Sequence, residues 1–135
     1  MSHESLARSI KGFEARAFGL AMEDEARLWF LSHVGGRCLA FRDRWKGGEI
    51  DLVFEVPGPG GAIELVFVEV KARSSAGYSG ALGSLGYRKL DRISRSIARY
   101  LARYRGPARS ARFDLLAWEA GQWRHLPNLW PLPGR

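Results

Sequence analysis

The sequence predicts one mixed α/β domain, a central sheet flanked by helices, in the order α, β, β, β, α, β with a short closing strand. Three observations predict it. Two stretches carry apolar residues at spacings of three and four, aliphatic runs with strand character lie between and after them, and Gly or Pro clusters mark the boundaries. At 135 residues the chain can bury one core and is too short for two.

The first helix is expected from Phe13 to about His33, where Phe18, Met22, Ala26, Trp29 and Phe30 fall on one face and Gly35-Gly36 ends the pattern. Residues 1–18 are read as an N-terminal extension, helical or partly disordered, and 19–126 as the domain proper. Cys38 to Arg44 forms a short strand. Glu49 to Val56 alternates, with Glu49, Asp51, Val53 and Glu55 on one side and Ile50, Leu52, Phe54 and Val56 on the other. Pro57-Gly-Pro-Gly-Gly61 interrupts it, and Ile63 to Ala72 resumes, so the two runs should pair as an antiparallel hairpin. Ser74 to Gly86, rich in Gly and Ser, reads as a mobile connection. The second helix, Arg88 to about Tyr104, presents Leu90, Ile93, Ile97, Tyr100, Leu101 and Tyr104 on one face and Arg92, Arg95, Arg99 and Arg103 elsewhere. Ala111 to Trp118 and Gln122 to Leu126 are the last strands, and the Pro-rich tail 127–135 should lie extended.

The net charge is +7 and the pI near 10.2. Between Lys71 and Arg112 there are eleven Lys and Arg against one acid, Asp91, so this segment carries +10 and the remainder −3. Cations on one part and carboxylates on another suit a metal-dependent phosphodiesterase, in which the first meet backbone phosphates and the second a metal. No apolar run approaches the roughly 20 residues of a membrane span, and Met1 to Lys11 has no apolar signal segment, so the cytoplasm is the expected location. Cys38, the single cysteine, cannot form an internal disulfide and reads as a small packed residue. The three histidines, His3, His33 and His125, form no ligand pattern.

Residues two apart on a strand share a face, so Glu69 and Lys71 of Phe67-Val-Glu-Val-Lys71 project together, and Val66, Val68 and Val70 project oppositely. If the preceding strand pairs alongside, Asp51 faces the same pocket. Two carboxylates suit a hard cation such as Mg²⁺, and a lysine beside them can stabilise phosphate charge or orient the attacking water. The bland alternative is a surface ion pair between Glu69 and Lys71. Trp45 is a candidate base-stacking residue, with simple packing as its alternative.

Gly47-Gly48-Glu49-Ile50-Asp51-Leu52-Val53, Phe67-Val68-Glu69-Val70-Lys71-Ala72-Arg73 and Arg112-Phe113-Asp114 closely resemble the signature blocks of the YraN-like family of small bacterial proteins. That family resembles a branch of the restriction-endonuclease-like, PD-(D/E)xK superfamily, similar to Holliday-junction resolvases and RecB-type nucleases. The resemblance runs from about Gly19 to Leu126 and implies an αβββαβ core. It implies that Asp51, Glu69 and Lys71 form the catalytic set, and that the Val70 carbonyl joins Asp51 and Glu69 at a Mg²⁺ ion, with Mn²⁺ as substitute. Gly19 with Glu23 matches the family's helical glutamate, making Glu23 the fourth site residue; Glu49 is an accessory acid. The Pro57–Ala62 loop is longer than the family's tight turn, and Ile50 stands where many nucleases carry proline.

The function expected is Mg²⁺-dependent hydrolysis of phosphodiester bonds in DNA, at branched or single-stranded structures. Arg73, Arg88, Lys89 and Arg92 would contact phosphates. The alternatives are a nucleic-acid-binding protein that does not cut and a scaffold whose basic helix docks an acidic partner. A homodimer is expected by analogy with junction-cutting enzymes.

Overall fold

The computed structural model describes residues 2–71 and 86–129, with backbone alone at 11 and 13–16. The elements are α1 (His3–His33), β1 (Arg37–Trp45), β2 (Gly48–Pro57), β3 (Ile63–Lys71), α2 (Gly86–Arg103), β4 (Ser110–Glu119) and β5 (Gln122–Leu126), with a 3-10 turn at Pro59–Gly61. The five strands form one sheet in chain order. Neighbours are antiparallel except β3 and β4, which run parallel. A parallel neighbour needs a long crossover, and the segment containing α2 supplies it. The αβββαβ order and the mixed sheet are therefore those expected.

The helices pack on opposite faces. On one side Ala26 and Phe30 of α1 close over Leu52, Phe54, Val56, Val66, Val68 and Leu116. On the other, Leu90, Ile93 and Ile97 of α2 close over Val53, Leu65, Phe67 and Phe113. Sheet residues thus alternate between two buried faces, so the alternation of β2 does not mark a solvated side: Val53 packs under α2 and Asp51 and Glu55 are buried on the strand.

Two boundaries differ from the sequence reading. α1 begins at His3, ten residues before Phe13, because Ser2 caps it: its Oγ accepts the Ser5 backbone N–H at 3.0 Å. Phe18, expected on the apolar face, is 44% exposed, whereas Met22, Ala26 and Phe30 are buried. α2 begins at Gly86 instead of Arg88 and ends at Arg103. Most of the Ser74–Gly86 connection, Arg73, and the tail beyond Leu129 lie outside the described residues.

Candidate metal centre

The β2–β3 ladder runs from Pro57↔Ile63 to Leu52↔Val68 and stops there. Beyond it β2 continues to Gly48 with β1 as its partner, and β3 continues with β4 to Lys71↔Ala117. The strands therefore part at the point where the sequence places its acids. Val70 would otherwise leave a backbone N–H unpaired at the gap, and the Asp51 carboxylate accepts it, Oδ2 at 2.8 Å.

At the same level the alternation of β2 breaks. Ile50 packs with the α2-side cluster, although Leu52, Phe54 and Val56 pack on the α1 side. Arg42 of β1, opposite Asp51 by the pairings on either side of it, has φ +54. A non-glycine residue in the left-handed region costs about 1 kcal/mol or more, and such strain concentrates at functional positions. Asp51 and Glu49 consequently reach Glu23, which α1 delivers from the opposite layer. One carboxylate oxygen from each of Glu23, Glu49 and Asp51 lies within 4.8 Å of the others.

Glu69 lies outside that triad and joins it through Asp51, whose carboxyl is close enough to share a hydrogen bond. Glu69 is 4% exposed, and the Lys89 ammonium from the first turn of α2 stands 3.1 Å from its Oε1. The cation facing Glu69 is thus Lys89 rather than Lys71. Lys71 is the half-buried last residue of β3, and strand alternation sets it on the face of Glu69.

Crowding these acids raises their affinity for protons. Burial, then the charges of Asp51 and Glu49, push the Glu23 carboxyl from 4.5 to about 7 against the pull of Arg42 and Arg44. Burial also raises Asp51, against the Val70 N–H bond and the Glu69 hydrogen bond. Glu69 is pushed well up by burial and by Asp51, and Lys89 offsets only part of this. Facing two carboxylates, Lys89 is held above its usual range despite the desolvation that opposes its charge. Two further oxygens are strained for partners. Glu23 Oε2 and Glu49 Oε1 are buried without a hydrogen bond, and the guanidinium groups nearest them, Arg42 Nη1 at 3.5 Å and Arg44 Nε at 3.6 Å, are beyond the about 2.8 Å of a charge-assisted bond.

A model of Uncharacterised protein family UPF0102 matches residues 22–117. The chain belongs to the UPF0102 family. It is 38% identical over 113 residues to a UPF0102 protein of Burkholderia ambifaria, covering 82% of this chain and 75% of the relative. It is 41% identical over 108 residues to one of Burkholderia lata, covering 80% and 72%. A UPF0102 protein of Burkholderia pseudomallei is 41% identical over 108 residues, covering 79% and 70%. The YraN-like resemblance of the three sequence blocks is thus family membership, and the UPF0102 match spans Glu23, Glu49, Asp51, Glu69, Lys71 and Lys89.

The third block of the UPF0102 chain is structural. Asp114, fully buried on β4, accepts Arg112 Nε at 3.0 Å, Arg112 Nη2 at 3.2 Å and the Asn128 N–H at 2.9 Å, and bonds His125 Nε2 at 2.7 Å. These bonds outweigh burial and hold its carboxyl below the usual range. They tie β4, β5 and the start of the tail together.

Four residues at the site were not legible as such in sequence. Arg42 carries no motif, and its backbone conformation has no local signal. Ser96 reads only as a small residue on a basic helix, yet its hydroxyl accepts the Trp45 indole N–H at 2.7 Å. Arg44 and Lys46 border the acids from the β1–β2 turn, where neither charge periodicity nor spacing distinguishes them. Arg88 and Arg92 are exposed on α2 as expected. Among the described residues no helix is long and apolar enough to cross a membrane.

Proposed function

We propose that this UPF0102 chain is a metal-dependent nuclease that hydrolyses phosphodiester bonds in DNA, at branched or single-stranded structures. The observation that carries the reading is the convergence of Glu23, Glu49 and Asp51 within 4.8 Å, beside the buried Glu69 and Lys89. The donor set fits a hard divalent cation: every ligand is oxygen, and two of the oxygens are buried without a hydrogen bond. Asp51, Glu69 and Glu23 would hold Mg²⁺ or Mn²⁺ with the Val70 carbonyl, and Glu49 stands ready as a further ligand. When bound, the ion polarises a phosphoryl oxygen and lowers the pKa of its water.

The remaining work falls to the chain's own groups. The Val70 N–H fixes the Asp51 carboxylate in one rotamer. Lys71, on the Glu69 face of β3, orients the water nucleophile and stabilises charge on the phosphate. Lys89 keeps Glu69 in place and, with Arg88, Arg92 and Arg73, offers cations to the DNA backbone. The two pieces of DNA are released as the water oxygen bonds to phosphorus and the scissile P–O bond breaks.

The test incubates labelled single-stranded, duplex and four-way-junction DNA with the protein in Mg²⁺, Mn²⁺ or EDTA, beside Asp51→Asn and Lys71→Ala. Metal-dependent products absent from both variants are expected, and the preferred lane identifies the substrate. DNA bound yet intact in every lane would assign the protein to nucleic-acid binding without cleavage.

A further inference from the structure

We infer that the cleft between the β1–β2 turn and the start of α2 is the seat of one backbone phosphate of the nucleic acid, adjacent to the scissile one, and that it stacks no base. This rests on the nuclease reading and extends it to a binding subsite and its selectivity. The cleft has a volume of about 480 Å³, in the range of ligand sites. Four cations border it, Arg44 and Lys46 from the turn and Lys89 and Arg92 from the helix, against one carboxylate, Glu49. Lys89 and Arg44 already face Glu69 and Glu49, at 3.1 and 3.6 Å. Lys46 and Arg92 stand exposed on the two walls. Glu49 belongs both to this cleft and to the carboxylate triad, so the two sites are contiguous. A strand whose scissile phosphate lies at the triad would set its neighbouring phosphate between Lys46 and Arg92.

The walls are fixed in advance. The Trp45 indole N–H donates to Ser96 Oγ at 2.7 Å, and that hydroxyl donates to the Arg92 carbonyl at 2.8 Å, which fastens the turn to the helix. A Cβ at Gly48 would lie 2.9 Å from Ser96 Oγ, and one at Gly47 would lie 2.2 Å from the Trp45 ring, so both positions are small because the turn is pressed onto its support. Trp45 is thereby removed as a stacking platform. Its indole edge is bonded to Ser96, Gly47 lies close against its ring, and the Arg99 guanidinium sits over the ring at 5.3 Å. Among the described residues the cleft thus offers charge to a phosphate and, with Trp45 held in this way, no aromatic platform on which a base would stack.

The test measures binding of short fluorescein-labelled oligo-dT and oligo-dA by anisotropy in EDTA across a salt series. The samples are the wild type, the cleft variant Lys46→Gln/Arg92→Gln and the control Arg8→Gln/Arg109→Gln, which removes the same charge at exposed positions elsewhere. The cleft variant is expected to flatten the slope of log affinity against log salt by about 1 to 2, more than the control does. Wild type should bind the two oligonucleotides within about tenfold of each other. A cleft variant no different from the control, or a larger base preference, overturns the inference and leaves the metal site untouched. Wild-type protein that binds neither oligonucleotide removes both the inference and the nuclease reading. Cleft-dependent binding in EDTA with no products when Mg²⁺ or Mn²⁺ is added keeps the phosphate seat and overturns both the nuclease reading and the placement of that seat beside a scissile phosphate.

Discussion

Glu23 sets the charge balance of the carboxylate cluster. Its carboxyl titrates at about 7 because burial and the charges of Asp51 and Glu49 outweigh Arg42 and Arg44. A cation must displace that proton, and Asp51 and Glu69 hold theirs more tightly than ordinary carboxyls, so affinity for Mn²⁺ should rise with pH through about 7. The same shift fixes the sign for stability. A carboxyl with a raised folded pKa favours the fold below its unfolded value of 4.5, and that contribution is lost as pH climbs to about 7. In EDTA the Tm should therefore fall over this window, and Mg²⁺ should restore more of it at the upper end than at the lower. Glu23→Gln should flatten both profiles; a variant that keeps the wild-type pH dependence would show that another group titrates.

Lys89 is the second residue whose role is set by its contacts. In sequence it is one of many basic positions on a helix, and a phosphate contact is the natural reading. In the fold it faces a carboxylate that is 6% exposed. Lys89→Met leaves Glu69 beside Asp51 without its cation. The expected cost is about 1 to 2 kcal/mol, less than for a fully buried pair because the lysine is 41% exposed. Urea unfolding in EDTA measures it, and saturating Mg²⁺ should return most of the loss. A loss unchanged by metal would place Glu69 outside the metal site.

At the scale of elements, the helix and strand order, the β2–β3 hairpin and the two-faced burial of the sheet were legible from periodicity, since each depends on residues near in sequence. The start of α1 was less so, because Leu6 and Ile10 are exposed and mark no apolar face, and the Ser2 cap decides it. The opening between β2 and β3 was hidden for a different reason. It depends on where the ladder stops at Leu52↔Val68, on the Arg42 conformation and on the carboxylate that takes the Val70 N–H, all of which are tertiary. Glu49 accordingly looked accessory in sequence, whereas the break in alternation carries it into the triad with Asp51 and Glu23. The Asp114 cluster illustrates an element-level constraint outside the site. Asp114→Ala would leave Arg112 with Glu64 alone, at 3.0 Å, and remove the acceptor of the Asn128 N–H at the start of the tail. It should cost about 3 to 5 kcal/mol by thermal or urea unfolding. Loss of less than 1 kcal/mol, about the scale of an exposed pair, would mean that the cluster is not a buried strut.

At the level of the whole molecule, the described residues form a sheet between two helices whose acids and cations meet at one end. α1 brings Glu23 over one face, α2 brings Lys89 and Arg92 over the other, and the parting strands between them hold Asp51, Glu49 and Glu69. No single element carries the site, which is why its residues are scattered from position 23 to position 92 although they adjoin in space. The central claim is that this assembly of carboxylates is a seat for a divalent cation. Isothermal titration of Mn²⁺ into the protein at a pH above the Glu23 transition, beside Asp51→Asn, tests it most directly. Saturable binding by the wild type is expected, lost or greatly weakened in Asp51→Asn, while both remain folded. Equal titration curves for the two, or no saturable binding by the wild type, would contradict it.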